Sequence, residues 1–303
     1  MKTIKRLKKI LKIFTLSIAL IISFSLPLVH AQGKERVHKK LRFGVAAMIS
    51  PKDTINVYRQ IIYYVGEKLG VPIEMVQRRT YAEMNDLLEK KNLYIAFICS
   101  GPYVNGKEKF DVELLVAPQS YGKCFYYSYF IVPKISTAVM LEDLKGKKIA
   151  FTDPNSNTGC LVPTYVLAKK NETPETFFSS YFYSGHHSES IKLVAEGKVD
   201  GAAVDHLIWE YMNATDPEFT SKTKVIFKSE PYGMPPVVVH PDIDPVLKKK
   251  IKDILLNMHK DEFGKKILKK VFIDEFIVPD DKDYDSVREM RDWINKNKEN
   301  TGK

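Results

Sequence analysis

The chain has 303 residues, 44% hydrophobic and 28% charged, which is close to an ordinary globular average and excludes disorder, collagen-like repeats and a coiled coil as global descriptions. That length is enough for two domains. A formal net charge of +10 raises nucleic acid or an acidic membrane surface as partners, and where the charges lie decides between them and neither.

Residues 1–12 carry Lys2, Lys5, Arg6, Lys8, Lys9 and Lys12 and no acid. An apolar run from Ile13 to about Phe24 follows, then Pro27 and the small-residue end Val29-His30-Ala31. This is the order of a secretory signal peptide, assigned to residues 1–31. The run is shorter than the roughly 18–20 residues that span a bilayer, and a retained membrane anchor is the alternative. Cleavage after Ala31 removes 31 residues and six positive charges, taking the net charge from +10 to +4. With most of the excess in the leader, no nucleic-acid partner is expected. The mature chain is expected in the periplasm.

Gly33–Lys40 reads as a charged lead-in, and Leu41–Val45 as a strand. Ile55, Tyr58, Ile61, Ile62, Val65 and Leu69 recur at helical spacing, predicting a helix over Thr54–Leu69 that Gly70 stops. Val71–Val76 is a predicted strand and Tyr81–Lys90 a helix. Leu93–Cys99 is a continuous apolar run, as in a strand covered on both faces, closed by a Ser100-Gly101-Pro102 turn. Strands are predicted at Val112–Ala117, Phe125–Val132 and Lys148–Phe151, then a polar loop over Thr152–Gly159 and a helix over Cys160–Lys169. Beyond these come a helix at Ser188–Glu196, a strand at Val199–Val204 and a helix at Asp205–Asn213. Strands at Val225–Lys228 and Val237–Val239 precede helices at Pro245–His259, Glu262–Val271 and Asp283–Lys296, with a frayed end at Asn297–Lys303. Alternating strands and helices give an α/β fold with mostly parallel sheets. A weak echo between Asp86–Phe97 and Lys192–Val204 points to two similar lobes.

Cys99, Cys124 and Cys160 are the only cysteines. An odd number leaves at least one thiol unpaired; one bridge is possible, and no CxxC pair offers a metal site. The segment Thr152-Asp153-Pro154-Asn155-Ser156-Asn157-Thr158-Gly159 follows a strand and opens a helix. Its hydroxyls, amides and free backbone N–H groups form an anion site without Lys or Arg, with Gly159 allowing close approach of a ligand; an ordinary N-cap is the alternative. His187, before the next helix, is a candidate oxyanion donor. Asp205 ends a strand, where open α/β sheets bind ligands, or else caps a helix. Tyr81, Tyr103 and Tyr126 can present a hydroxyl or serve as core. Cys160, His187 and Asp205 have the residue types of a thiol hydrolase triad, which is the enzymatic alternative. No catalysis, cofactor or metal is expected.

Several stretches resemble the phosphate/phosphite/phosphonate-binding proteins of ABC transporters. These are Phe43-Gly44-Val45-Ala46, Arg79-Thr80-Tyr81-Ala82-Glu83, Asp153-Pro154-Asn155-Ser156, Gly159 with Leu161-Val162-Pro163, Glu196-Gly197-Lys198-Val199-Asp200, and Tyr232-Gly233-Met234-Pro235-Pro236. The resemblance covers Leu41 to Val278 and implies a two-lobed periplasmic-binding-protein fold with two hinge strands. The implied lobes are 41–131 plus 236–303 and 132–235, with crossings near Phe130–Pro133 and Ser229–Pro236. It also implies a phosphorus oxyanion held by Ser156, Asn157, Thr158, His187, Tyr81 and Tyr126, with Tyr103 as a further member, and delivery by a monomer to an ABC permease. A ligand-binding component of a sensor system is the alternative. The family loop is usually Ser-Thr-Ser-Gly, so Asn157 replaces a hydroxyl and leaves the oxyanion preference open. The Gly233-Met234-Pro235-Pro236 turn offers no carboxylate for an ammonium group, which favours phosphate, phosphite or a short alkyl phosphonate.

Overall fold

The computed structural model describes residues 40–301 apart from Ile49. The expected leader, and the expected lead-in before Lys40, lie outside the described residues. The chain opens with β1 (Leu41–Val45), α1 (Pro51–Leu69), β2 (Ile73–Gln77), α2 (Tyr81–Glu89), β3 (Ile95–Phe97), α3 (Ser100–Phe110) and β4 (Glu113–Gln119). It crosses through β5 (Phe125–Tyr126) into β6 (Ser128–Pro133), β7 (Lys148–Phe151), α4 (Val162–Ala168), α5 (Pro174–Phe177), β8 (Ser180–Tyr183), α6 (His187–Ala195), β9 (Gly201–Asp205), α7 (His206–Thr215) and β10 (Thr223–Lys228). It returns through β11 (Tyr232–Gly233) to β12 (Val237–Val239), α8 (Pro245–Leu256), α9 (Glu262–Lys270), β13 (Glu275–Ile277) and α10 (Asp285–Thr301).

The first lobe is built on a sheet of order β13-β4-β12-β3-β1-β2, the second on β10-β6-β9-β7-β8, and a β11-β5 ribbon stands alone. Both sheets are mixed, which corrects the expectation of mostly parallel ones. Only β1–β2, β1–β3, β7–β8 and β7–β9 run parallel, among strands separated by helical crossovers. The strands that carry the chain into or out of a lobe, β6, β10, β12 and β4, enter the ladders antiparallel. Pairing partners lie far apart in sequence, so hydrophobic pattern alone cannot set their direction.

The predicted single strand Phe125–Val132 is two. Tyr126 pairs with Tyr232 in the ribbon, whereas Ser128 onward pairs with β9 and β10. At the break, the Tyr127 N–H leaves the ladder and donates to His206 Nδ1 at 3.0 Å. The first crossing therefore falls at Tyr126–Ser128, ahead of the expected Phe130–Pro133, and β6 lies wholly in the second sheet. The second crossing, at β11, lies inside the expected Ser229–Pro236.

Ser100-Gly101-Pro102 is the first turn of α3 and not a closing turn. Proline is tolerated there because its missing N–H has no intrahelical partner to lose. The expected frayed end is helical to Thr301. In the first lobe β3 and β12 are buried along their whole length. A Cβ on Gly44 would lie 2.6 Å from Met84 Sδ and 2.5 Å from Leu93 Cδ2, so glycine lets α2 settle on β1. In the second lobe Phe130, Val132, Leu144, Ile149, Phe151, Leu167 and Phe177 form a separate core, each contributing about 1.5–3 kcal/mol of burial.

Candidate functional site

The polar loop after β7 lies where the two lobes meet. Ser156 caps the turn that follows, its Oγ accepting from Gly159 N–H at 3.0 Å. Residues Asn157–Leu161 make a wide π-type turn before α4, a local irregularity that often marks a functional site. Asn157 Nδ2 donates to Tyr126 Oη at 3.1 Å, joining the loop to the hinge ribbon. Ser128 Oγ donates to the Thr158 carbonyl at 2.6 Å. Across the cleft, Thr80 and Glu83 form a capping box at the start of α2. The next N–H, that of Tyr81, donates to Asp153 Oδ2 at 3.2 Å.

His187 opens α6, and its backbone N–H donates to the Met48 carbonyl of the first lobe at 3.1 Å. Its Nδ1 accepts from the Asp205 N–H at 3.0 Å and lies 3.0 Å from Thr152 Oγ1. A nitrogen that accepts a backbone N–H carries no hydrogen, so the ring proton sits on Nε2. Burial, helped by the neighbouring His186, pushes His187 down to about 3. The imidazole is therefore neutral at pH 7 and presents Nε2–H. Gly159 serves this arrangement: a Cβ there would meet Thr152 Oγ1 at 2.4 Å and His187 Cε1 at 3.0 Å. Its purpose is room for the histidine and its partner, beyond the expected approach to a ligand.

Asp205 is buried and caps α7, its Oδ1 accepting from Leu207 N–H at 2.8 Å. Burial raises its carboxyl to about 7, against the lowering effect of the Leu207 and Ile208 N–H groups. The N-cap reading of this residue thus holds. It also lines a cavity of about 60 Å³ together with Met48, Tyr58, Phe97 and Met234. Tyr81, Tyr126 and Tyr58 all feel Cys99 and Asp205 electrostatically, and burial raises all three phenols.

Among the described residues, six buried side-chain polar atoms have no hydrogen-bond partner. Four belong to this one cluster: Tyr81 Oη, Asn157 Oδ1, Thr158 Oγ1 and His187 Nε2. Buried polar groups are normally paired, and groups left orphaned together need an explanation. None of the cluster residues is Lys or Arg, so an empty site buries no unpaired cation.

The structure thus brings together Tyr81, Tyr126, Ser156, Asn157, Thr158, His187 and Asp205. It leaves out Tyr103, whose hydroxyl donates to Asp281 and whose ring meets Tyr284 at 4.6 Å. The reason is α3: a helix where a turn was expected carries Tyr103 round to the short turn Asp281–Tyr284 that precedes α10. Thr152, Asp153, Ser128 and Cys99 belong to the surroundings of the site and were not singled out in the sequence. Thr152 and Asp153 lie in the flagged loop, but their partners are residues far along the chain. The hydrolase triad does not assemble. Cys160 Sγ lies 3.8 Å from Tyr183 Oη, and His187 Nδ1 is taken by the Asp205 backbone and not by its carboxylate. Among the described residues no disulfide joins the cysteines, and no group of His, Cys, Asp and Glu is arranged to hold a metal ion.

A family model described as the ABC transporter, phosphonate, periplasmic substrate-binding protein matches residues 43–284. The chain belongs to that family. Its members are binding proteins and not enzymes. The chain is 26% identical over 247 residues to the phosphonates-binding periplasmic protein of Escherichia coli, covering 80% of this chain and 72% of that one. It is 27% identical over 244 residues to the probable ABC transporter phosphite binding protein PhnD1 of Prochlorococcus marinus, covering 77% and 82%. The structure of PhnD1 from Prochlorococcus marinus in complex with methylphosphonate superposes with a TM-score of 0.78 at 21% identity, over 85% of this chain and 99% of that one. This likeness establishes the periplasmic-binding-protein fold. Among the described residues no helix is long and apolar enough to cross a membrane.

Proposed function

We propose that this phosphonate-binding family member is exported by a cleaved leader, captures a small phosphorus oxyanion between its lobes and hands it to an ABC permease. The observation that carries this reading is the cluster of four buried, unpartnered polar atoms on Tyr81, Asn157, Thr158 and His187. An oxyanion of phosphorus supplies several acceptor oxygens at one centre, and each donor to a charged oxygen is worth roughly 1.5–3 kcal/mol. Asp205 adds selectivity: its buried carboxyl shares a hydrogen with a P–OH group and disfavours a fully deprotonated anion such as sulfate. The relatives named for phosphonate and phosphite, and the methylphosphonate in the superposed structure, support this ligand class. The lobes turn about the β5–β11 ribbon, and ligand favours the closed arrangement. The protein acts as a monomer.

Calorimetric titration of residues 32–303 with phosphate, phosphite, methylphosphonate, 2-aminoethylphosphonate and sulfate tests the reading. Binding of at least one small phosphorus oxyanion, with sulfate far weaker, is expected. No heat with any phosphorus compound would overturn it.

A further inference from the structure

Three of the four unpartnered atoms can donate a hydrogen: the hydroxyls of Tyr81 and Thr158, and His187 Nε2–H. The fourth cannot. Asn157 Oδ1 is an amide oxygen, which only accepts, and its side chain is wholly buried. The other half of the amide fixes its direction. Nδ2 donates to Tyr126 Oη, and Cys99 Sγ lies 3.5 Å from that hydroxyl as an outlet for the phenol's own hydrogen. The NH2 group is turned to Tyr126, and Oδ1 is left without a partner. A hydroxyl in its place would rotate to donate to a bare anion oxygen; the amide oxygen cannot, and its lone pairs repel one.

Resting on the phosphorus-oxyanion reading above, we propose that Asn157 selects the protonation state of the ligand. Its Oδ1 accepts the hydrogen of a P–OH group, so the singly protonated monoanion is held and a dianion of the same size is turned away. The monoanion carries a single P–OH hydrogen: below about pH 7 Asp205 holds a hydrogen of its own, and the P–OH hydrogen goes to Asn157. Among the ionisable groups around Asn157, Asp205 changes state near neutral pH, raised by burial to about 7, and the others keep theirs. Burial keeps Cys99, Tyr81 and Tyr126 protonated, and His187 is neutral. Asp153 is occupied by the N–H groups of Tyr81 and Asn155.

The test is calorimetric titration of wild type and Asn157→Thr with methylphosphonate and with sulfate, at about pH 6. Threonine exchanges the acceptor for a hydroxyl that can donate. The ratio of sulfate to methylphosphonate affinity is expected to rise by roughly tenfold or more in the variant, with sulfate binding becoming stronger, or measurable where wild type shows none. A misfolded variant does not gain affinity, and Asn157→Ser should gain in the same direction. Sulfate binding unchanged or undetected in both variants overturns the proposal, as does equal weakening of both ligands. In either case wild-type binding of methylphosphonate leaves the oxyanion reading standing. Wild type that binds neither methylphosphonate nor phosphite overturns that reading and the proposal with it.

Discussion

The imidazole of His187 receives a backbone N–H from Asp205 and a hydroxyl from Thr152 on one nitrogen, and its other nitrogen is buried without a partner. Partners that fix the tautomer decide which nitrogen carries the proton. His187→Ala is expected to weaken oxyanion binding by roughly tenfold or more, and Thr152→Val by roughly three- to tenfold, both read by calorimetry. Asp205 and His187 also titrate in opposite senses. The fold raises Asp205 to about 7, so it binds that proton more tightly than the unfolded chain does. Its contribution is full below about pH 4 and is lost as pH rises through about 7. His187 is lowered to about 3 and His206 to about 4. Their contributions are full above about pH 6.5 and are lost as pH falls. Asp205→Asn removes the first slope. Urea denaturation of the ligand-free chain at pH 4.5, 6 and 7.5 should show the variant gaining on wild type as pH rises, by about 3 kcal/mol over the series. A constant difference across the series would contradict the assignment.

At the scale of elements, the site is an assembly of starts: α2 at Tyr81, the wide turn at Asn157, α6 at His187 and α7 at His206. The positive helix ends gather there without any cationic side chain. Gly159 holds the assembly together, and Gly159→Ala would drive a Cβ to 2.4 Å from Thr152 Oγ1. Overpacking of this kind costs about 1–3 kcal/mol, so the variant should melt lower and lose binding together; normal affinity at lowered stability would separate Gly159 from the site. The runs Leu41–Val45, Lys148–Phe151 and Val237–Val239 were legible in the sequence at their observed bounds: β12 is apolar and buried throughout, and β1 and β7 each carry one cation, Arg42 and Lys148, near an otherwise buried apolar run. The start of α3 was not, since Ser-Gly-Pro has the chemistry of a turn and its fit against the Asn155 carbonyl is a tertiary contact. The break at Tyr127 was hidden by unbroken β-prone residues, because its cause, His206, lies 79 residues away. The loop carrying Ser156, Asn157 and Thr158 stood out by composition, whereas Thr152 as the partner of His187 depends on tertiary contact alone.

On the scale of the molecule, the lobes touch through ties that do not involve ligand. Tyr81 N–H meets Asp153, His187 N–H meets the Met48 carbonyl, and Gly101 of α3 lies flat against the Asn155 carbonyl. A Cβ at Gly101 would sit 2.3 Å from that carbonyl oxygen, with Asn157 N next at 3.2 Å, both across the cleft. Gly101→Ala therefore wedges the closed form and spares the open one. Small-angle scattering should show wild type contracting on saturation with methylphosphonate and the variant contracting less. Its apparent affinity should fall, because only the closed fraction binds tightly, while its ligand-free melting temperature stays near wild type. Equal contraction of both would contradict lobe closure at this contact.

The central claim is that a neutral histidine, fixed by its neighbours, donates to the oxyanion. The most direct measurement is a nitrogen-15 spectrum of the His187 ring at pH 7, before and after saturation with methylphosphonate. The account predicts a neutral ring with its hydrogen on Nε2 in both states, and an Nε2 proton that moves downfield when ligand binds. A ring protonated on Nδ1, or an Nε2 proton unmoved at saturation, would contradict it.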